Sequence, residues 1–493
     1  MKTKPDQDPK RPKARRSKKR RQKRGRTPEA LPVVRPDTAG IDLAVTADIW
    51  VAVPPDREGE TVRPFSPMSH GLEKLVAFVL ASRVKAVAME ATGVYWSALY
   101  SKLMEAGVDV TLVQPRDVRR LNRPKSDIAD CQWLQYLHSV GLLKKSFVPP
   151  PQILAVRAIA RQRERLVQEA ARHVQHAQQA LDEMNLHLHH VLSDLVGTSG
   201  QAIIEAILAG ERNAEKLAAL CHHRVLTDRA IIAQALTGQW RDEHIFVLGQ
   251  AYESWQQTQK QMGACDQQLW KLAQALEVRI DEQALAAARP VRGAGRPRKE
   301  AAGTAAATPP PRRKGHSRNG LNREEDWPAR FHALFGVDLL AVPGVNLLLM
   351  LTLLVEVGTD WSAFSTSAYF ASWLGLCPHN DRSGKKVLRR RTADGQSRLK
   401  AMLRMAAQSL WQSHSPLGTQ YRKLKARLGA PSANTAMAHR LARILWHMVH
   451  HQKAYDESIF EQIDQKQTDR QMSRLRKQAK ALGFELTALP KAA

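Results

Sequence analysis

Cysteine is scarce in this sequence. The 493 residues contain four cysteines, Cys131, Cys221, Cys265 and Cys377, which lie far apart and form no CxxC pair. This spacing argues against a zinc ribbon and suits a reducing compartment, so we expect four free thiols.

Long apolar runs and nucleotide-binding motifs are missing as well. The best apolar run, Leu347 to Val355, is much shorter than the roughly 20 residues that a membrane span needs. No apolar segment of the signal-peptide kind follows the basic N-terminus. No GxGxxG or Walker pattern occurs in residues 38–145, so a nucleotide cofactor is not indicated. We therefore expect a soluble cytoplasmic protein, associated with the nucleoid and without a membrane partner.

The chain is strongly basic, and much of its charge is concentrated. Lys and Arg number 75 against 47 Asp and Glu, which gives a formal net charge of +28. Residues 1–26 contribute +12 and residues 289–318 contribute +8, so the remaining chain carries only +8. A balance of this kind favours a polyanionic partner, for which nucleic acid and an anionic membrane both qualify.

The length predicts two or three folded units joined by linkers. We divide the chain into a disordered basic arm (1–37), an α/β domain (38–148), a helical coiled-coil region (149–285), a flexible basic linker (286–326), a mainly α-helical C-terminal domain (327–463) and a charged tail (464–493). The basic arm is either a solubilising tail or a nonspecific nucleic-acid tether. Within the linker, Gly295-Arg296-Pro297 resembles a minor-groove hook, although such tripeptides are common in basic linkers.

Alternating short apolar and helical segments characterise residues 38–145. The segments VKAVAME and DVTLVQP are nearly continuous in apolar residues and are separated by a helical stretch, as buried parallel strands are. We expect an opening hairpin followed by βαβ units.

Helical periodicity dominates the region after Pro149. One apolar stripe runs at steps of three, four or seven residues, through Ile159, Leu166, Ala170, Val174, Ala177, Leu181, Met184 and Leu188. A second helical stretch, from about Asp242 to Leu285, could return antiparallel to the first. Nearby His187, His189 and His190 lack acidic or Cys partners at ligand spacing, which favours solvated positions over a metal site.

Four carboxylates form the candidate chemical site. Asp42 lies in the first strand, Glu90 closes the strand VKAVAME, and Asp127 and Asp130 share one face at the start of a helix. Carboxylates at strand ends and helix starts are where α/β sites are commonly built, and together they could hold one or two Mg²⁺ ions. Taken singly, each has a structural explanation: Asp42 could form a turn, Glu90 could be a charge at a strand end, Asp127 could be an N-cap, and Asp130 could be a solvated helix residue.

Basic residues lead into this site and recur near a serine. Arg116, Arg119, Arg120, Arg123 and Lys125 could hold a nucleic-acid backbone over the metals, or could be a solvated basic face. In the last domain, Leu340 to Val345 resembles a helix-hairpin-helix turn in which Gly344 could help bind phosphate, or could be a packing turn. Ser383 follows in a loop with further basic residues, Lys385, Lys386, Arg389, Arg390 and Arg391. A loop serine needs activation to act as a nucleophile and is more often a turn former.

The ordered segments GIDLA, MEATGVYW, KSDIADCQWL, AVPGV and LCPHNDRSGKK resemble those of the DEDD insertion-sequence transposases. These are the IS-one-ten group, also called bridge-RNA-guided recombinases. The resemblance covers about residues 38–145 and 335–455. The loop DRSGKK departs slightly from the family pattern, and the basic arm and the linker at 286–326 look like additions.

This resemblance implies a RuvC-like, RNase H-type N-terminal domain whose Asp42, Glu90, Asp127 and Asp130 bind Mg²⁺, and a C-terminal transposase domain in which Ser383 attacks DNA. It also implies a homo-oligomer, dimer or tetramer, in which the acidic site of one subunit meets the serine of another. A structured noncoding RNA would pair with donor and target DNA.

Two other functions remain open at this stage. A metal-dependent nuclease of the Holliday-junction type would need the four carboxylates without Ser383. A catalytically inactive nucleic-acid-binding descendant would keep only the fold and the charge, and the presence of all four acids argues against it.

Overall fold

A computed structural model of the chain describes residues 31–43, 48–91, 93–118, 126–281, 319–322, 324–384, 386–392, 397–457, 472–479, 481 and 483. The predicted basic arm, linker and charged tail lie mostly outside these residues. The chain divides into two compact units, residues 1–148 and 149–493. None of the helices in the described ranges has both the length and the apolar character needed to cross a bilayer.

The first unit is built on a five-stranded mixed sheet in the order β3-β2-β1-β4-β5. The strands are β1 (Thr38–Asp42), β2 (Ile49–Ala52), β3 (Val62–Phe65), β4 (Ala86–Glu90) and β5 (Asp109–Val113). Strand β4 pairs parallel with β1 and with β5, whereas β2 pairs antiparallel with β1 and with β3. The predicted hairpin and parallel strands are therefore confirmed, with β3 as an additional edge strand.

Four helices accompany this sheet: α1 (Ser69–Ala81), α2 (Trp96–Glu105), α3 (Pro115–Val118) and α4 (Asp127–Ser139). The core consists of fully buried aliphatic side chains from strands and helices, among them Ile41, Val51, Val87, Leu75 and Leu99. The apolar runs that predicted β4 and β5 supply this core because both faces of a parallel strand are covered.

Two long antiparallel helices open the second unit. These are α5 (Pro151–Glu183) and α10 (Asp242–Gln274), each 33 residues or about 50 Å long. Arg163 of α5 pairs with Asp266 of α10, while Gln239 N donates to Met184 O near their other ends, so the two helices run in opposite directions. The predicted stripe is confirmed, since Leu166, Ala170, Ala177 and Leu181 are all buried.

Short helices fill the far end of this pair: α6 (Leu188–Val191), α7 (Thr198–Leu208), α8 (Ala214–Ala219) and α9 (Arg229–Ala235). They enclose a core that includes Leu188, Ile204, Leu217 and Ile232. The three histidines at 187–190 lie beside it, where His187 and His189 each approach Asp182, within 3.5 and 3.3 Å.

The helices that follow in the described chain include α11 (Trp327–Phe335), α12 (Leu347–Val357), α13 (Ser367–Trp373), α14 (Arg398–Ser409), α15 (Pro416–Leu428) and α16 (Ala430–His451), with 3-10 turns at Leu339–Ala341 and Leu410–Gln412. Strands β6 (Pro378–Ser383) and β7 (Lys386–Thr392) form a hairpin between α13 and α14. Buried aromatic rings, including Trp327, Phe331, Trp361 and Phe370, hold the helices together. A mainly helical C-terminal domain was predicted, and the hairpin is an addition to that prediction.

Candidate active site

Strand register brings two of the predicted carboxylates to the same edge of the sheet. β1 and β4 are parallel neighbours with Ile41 opposite Met89, so Asp42 and Glu90 follow at matching positions. Neighbouring strands lie about 4.8 Å apart, and residues at matching positions extend to the same face. Two acids 48 positions apart in the sequence therefore stand side by side where both strands end.

Helix α4 packs against β1 in the opposite direction. Gln135 Nε2 donates to Thr38 O at 3.3 Å, near the start of the strand. A Cβ built on Gly40 would lie 2.2 Å from Cys131 O. Two residues along a strand span about 6.7 Å, and four residues along a helix span about 6 Å. Steps of two residues in β1 and four residues in α4 therefore keep pace: Thr38 lies opposite Gln135 and Gly40 opposite Cys131. Extending the same steps predicts Asp42 opposite Asp127.

The first turn of α4 holds the other two carboxylates. Ser126 is the N-cap, and its side chain accepts a hydrogen bond from Ala129 N at 3.2 Å. Asp127 is therefore not the cap, and the alternative explanation that it serves as one is wrong. Asp127 is exposed and Asp130 half-buried, both within the turn where the helix dipole favours negative charge.

A buried thiol lies among these acids. Burial raises the pKa of Cys131 to about 12, and the negative charges of Asp42 and Asp130 contribute to the increase. Carboxylates from two separate elements thus act on one side chain. The thiol stays protonated at neutral pH, so Cys131 is neither a nucleophile nor a metal ligand in this state.

The four acids do not form a closed cage. Within the described residues, no three or more His, Cys, Asp or Glu side chains form a group that could hold a metal ion. The structure places Asp42 next to Glu90 by register, and the charges of Asp42 and Asp130 both contribute to the raised pKa of Cys131. Asp127 lies on the exposed face of the same helix end.

The predicted arginine cluster falls largely outside the described residues. Arg116 lies in α3, directly after β5, and its side chain is not among those described. Arg119, Arg120, Arg123 and Lys125 lie outside the described residues altogether. Their role in holding a nucleic-acid backbone stays a prediction.

Ser383 ends strand β6 at the tip of the hairpin. It is exposed and pairs across the hairpin with Lys386. Gly384, which follows it, has φ of +57°, in the left-handed region that tight turns use. The serine therefore belongs to a strand rather than to the loop that the sequence predicted, because pairing with β7 extends to the turn itself.

The basic residues that follow Ser383 lie on strand β7. Arg389, Arg390 and Arg391 are opposite Asp381, Asn380 and His379. The side chains of Lys386 and of these arginines are not among those described, and Lys385 lies outside the described residues. A register shift next to Asp381 makes the hairpin irregular between its base and its tip.

Gly344 occupies a packing turn. Its φ is +90°, and a Cβ there would lie 2.8 Å from Ala406 O of α14. The turn precedes α12, whose N-cap Asn346 accepts a hydrogen bond from Leu349 N at 2.9 Å. These contacts agree with the interpretation of residues 340–345 as a packing turn. The phosphate-binding role of Gly344 stays a prediction.

One feature of the C-terminal domain escaped the sequence prediction. Residues 395–455 contain ten Lys and Arg and neither Asp nor Glu, so this segment alone exceeds the +8 assigned to the chain outside its two basic segments. A charge count in a sliding window detects it. Helices α14, α15 and α16 therefore carry positive charge that no carboxylate side chain of the same segment opposes.

Two family models match the chain. A transposase model of the DEDD IS110 type matches residues 39–186, and a model described as transposase IS116/IS110/IS902 family matches residues 338–422. The chain belongs to the IS110 family of transposases. No curated protein matches it.

Membership of the IS110 family confirms the predicted family, enzyme class and fold. The first match includes all four carboxylates and the second includes Ser383. The mixed five-stranded sheet with its helices is the RNase H-like architecture expected of a DEDD domain. The chain is therefore a DNA transposase, and DEDD transposase domains generally use divalent metal ions.

Proposed function

We propose that this transposase cuts and rejoins DNA with a Mg²⁺ site formed by Asp42, Glu90, Asp127 and Asp130 and with Ser383 as the nucleophile. The observation that supports the metal site best is the matching register of Asp42 and Glu90, where β1 and β4 end, with α4 packed along β1. Carboxylate oxygens are the ligands that Mg²⁺ prefers.

Asp42 and Glu90 at the strand ends and Asp127 and Asp130 in the first turn of α4 would hold the metal ions. Divalent cations bound there would polarise the scissile phosphate and stabilise the attacking and leaving oxygens. The buried, protonated Cys131 packs at the same helix end without adding charge.

Ser383 carries the strand-transfer chemistry in this proposal. Its exposure at a hairpin tip gives the hydroxyl access to a DNA backbone. The serine oxygen bonds to phosphorus, its proton passes to solvent or a neighbouring base, and the bond between phosphorus and one deoxyribose oxygen breaks. That oxygen leaves as a hydroxyl after taking up a proton. A second strand's hydroxyl then reverses the step and restores the serine.

The experiment that tests the metal site measures cleavage of element-end DNA by Asp42→Asn. We expect a loss of about 1000-fold or more, on the order of 4 kcal/mol in the activation barrier, with DNA binding retained. Asp48→Asn is the matched control, because Asp48 is an exposed acid of the same domain. An Asp42→Asn enzyme that cuts as well as Asp48→Asn would overturn the proposed site.

A second substitution tests the serine. Ser383→Ala should abolish strand exchange and the covalent protein–DNA adduct, whereas Ser193→Ala, at another exposed serine, should leave both intact. If Ser383→Ala still cuts DNA with Mg²⁺ and merely fails to rejoin it, the enzyme is a metal-dependent nuclease. Mixing Asp42→Asn with Ser383→Ala chains asks whether an oligomer combines sites from different subunits.

The guide RNA is the last part of the proposal. We infer from the family resemblance that a structured RNA encoded beside the reading frame reads the DNA sequence, while the basic protein binds backbones. Purification from cells that transcribe the flanking DNA should recover one specific RNA, and its removal should abolish site selection. Unchanged target choice without RNA would exclude guidance.

A further inference from the structure

An open groove lies within the acid-free segment of the C-terminal domain. Its volume is about 590 Å³, within the range of small-ligand sites. The lining side chains come from α14, the following 3-10 turn, α15 and the start of α16, and include Met405, Gln408, Trp411, Gln412, Lys425 and Asn434.

Trp411 is the central apolar surface of this groove. It is 46% exposed, whereas Trp327, Trp361 and Trp446 of the same domain are each at most 4% exposed. The turn that carries it is fixed, because Arg422 Nη1 donates to Trp411 O at 3.2 Å and to Ser413 O at 2.7 Å. The indole is therefore a positioned surface that a flat partner could cover.

A cation occupies one face of this indole. Lys425 Nζ lies 3.6 Å from the ring centroid. A base that stacked on the indole would replace this cation–π contact, and stacking on an aromatic ring is generally the stronger interaction. The displaced ammonium would remain close enough to neutralise the phosphate of the same nucleotide.

Amide groups surround the ring. Gln408 and Gln412 are exposed, and Asn434 is half-buried. Tyr421 donates its hydroxyl proton to Asn434 Oδ1 at 2.5 Å, which fixes the Asn434 amide in the lining of the groove. Side-chain amides pair well with the donor and acceptor edges of nucleobases.

The charge around the groove selects an anionic ligand. α15 carries Arg422, Lys425 and Arg427, and residues 395–455 contain neither Asp nor Glu. A nucleotide has a flat ring for the indole, hydrogen-bonding edges for the amides and a phosphate for the cations. A base inside a duplex is covered on both faces by its neighbours, so only an unpaired base can reach the indole.

We propose that this groove binds an unpaired base of single-stranded DNA, stacked on Trp411 and held at its edge by Gln408, Gln412 or Asn434. The inference rests on the proposed DNA strand cleavage, because cutting and rejoining exposes unpaired nucleotides. DNA is the occupant favoured over RNA, since DNA is the substrate of a transposase.

The test measures binding of a fluorescent oligothymidylate to the full chain by anisotropy. Trp411→Ala should weaken binding by roughly five- to 100-fold, the range for losing one stacked base. Trp411→Phe should retain most of the affinity because it keeps an aromatic face. Leu226→Ala removes another exposed apolar side chain, which is 98% exposed between α8 and α9, and should have no effect.

An abasic strand of equal charge separates stacking from charge attraction. The unmodified protein should bind the abasic strand about as weakly as Trp411→Ala binds oligothymidylate, and Trp411→Ala should lose nothing further on it. Equal weakening on both strands would overturn the inference. A larger Trp411 effect on the matching RNA than on DNA would also overturn it, in favour of RNA as the occupant.

Two further measurements keep the outcome clear. Gln412→Glu places an acid at an exposed position, where misfolding is not expected, and should weaken strand binding about fivefold. All binding is measured without divalent metal, and again with Asp42→Asn and with Ser383→Ala. If the proposed metal site or nucleophile is wrong, Trp411→Ala should still weaken strand binding. If Trp411→Ala does not weaken strand binding, the proposed cleavage mechanism is unaffected.

Discussion

The N-terminal domain and the acid-free helices differ in their content of carboxylates. Residues 38–148 contain twelve Asp and Glu, and the four proposed ligands among them come from two strands and one helix. Residues 395–455 contain none, and their ten cations are spread over three helices and the residues next to them. In the proposed function, the first region holds metal ions and the second attracts the phosphates on which such ions act.

This difference predicts how strongly a single substitution in each region should affect activity or binding. Ligand geometry in the N-terminal domain depends on a few contacts, such as that of Gly40 with α4, and a small displacement separates the ligands. Attraction of a polyanion is a sum over many charges, so each contributes a small, similar share. Single substitutions should therefore have large effects in the first region and graded effects in the second.

Among residues that are not themselves proposed ligands or nucleophile, the largest effect is expected for Gly40→Ala. The added Cβ would lie 2.2 Å from Cys131 O and 2.3 Å from Gln135 N, both backbone atoms that cannot rotate away. Displacing α4 should cost about 1–3 kcal/mol in the free energy of unfolding and about 100-fold in DNA cleavage. Denaturant melts and cleavage assays measure the two effects.

The control for this substitution is Gly263→Ala. Gly263 lies in α10, and a Cβ added there would have no heavy atom from outside the helix within 4 Å. Alanine should therefore stabilise the helix by about 0.5–1 kcal/mol. If Gly40→Ala behaved like Gly263→Ala, α4 would not be held by close packing and the geometric basis of the site would be lost.

Much of the N-terminal fold follows from sequence because its signals are local. The apolar runs of β4 and β5 and the helix start at Ser126 are all readable in a few residues. Edge strand β3 was missed because it is short and contains Pro64, which a strand tolerates only where no hydrogen-bond donor is needed.

The remainder of the site depends on contacts between distant segments. Nothing near Gly40 in the sequence indicates that Cys131 and Gln135 will pack against it, 91 and 95 positions away. Likewise, the strand position of Ser383 depends on pairing with Lys386 and on the rest of β7. The groove at Trp411 gathers residues from four elements, so no single motif could predict it.

A moderate effect is expected from pH, through His138 of α4. Burial, with a smaller contribution from Arg35, lowers the pKa of His138 from 6.5 to about 4. The unfolded chain therefore binds a proton that the folded chain excludes between these values. Stability from this group is complete above pH 6.5 and falls as the pH drops towards 4, by about 3 kcal/mol in all.

His138→Leu tests this contribution. It should flatten the dependence of unfolding free energy on pH between 6.5 and 4, whatever its effect on stability at neutral pH. The exposed His70, changed to Gln, should reproduce the profile of the unmodified protein. An unchanged slope in His138→Leu would assign the acid sensitivity of the domain to other groups.

The smallest effect is expected in the acid-free helices. Arg427 is exposed near the end of α15, so Arg427→Gln should remove about one phosphate contact. The salt dependence of DNA binding should then decrease in slope by about one, with a loss of only a few-fold in affinity at moderate salt. Lys74→Gln, at an exposed cation of α1, should change neither quantity. A loss of 100-fold or more for Arg427→Gln, with an unchanged salt slope, would mean that this side chain makes one specific contact. Binding by the acid-free helices would then depend on the geometry of single residues, as metal binding in the N-terminal domain is proposed to do, and not on a sum of many charges.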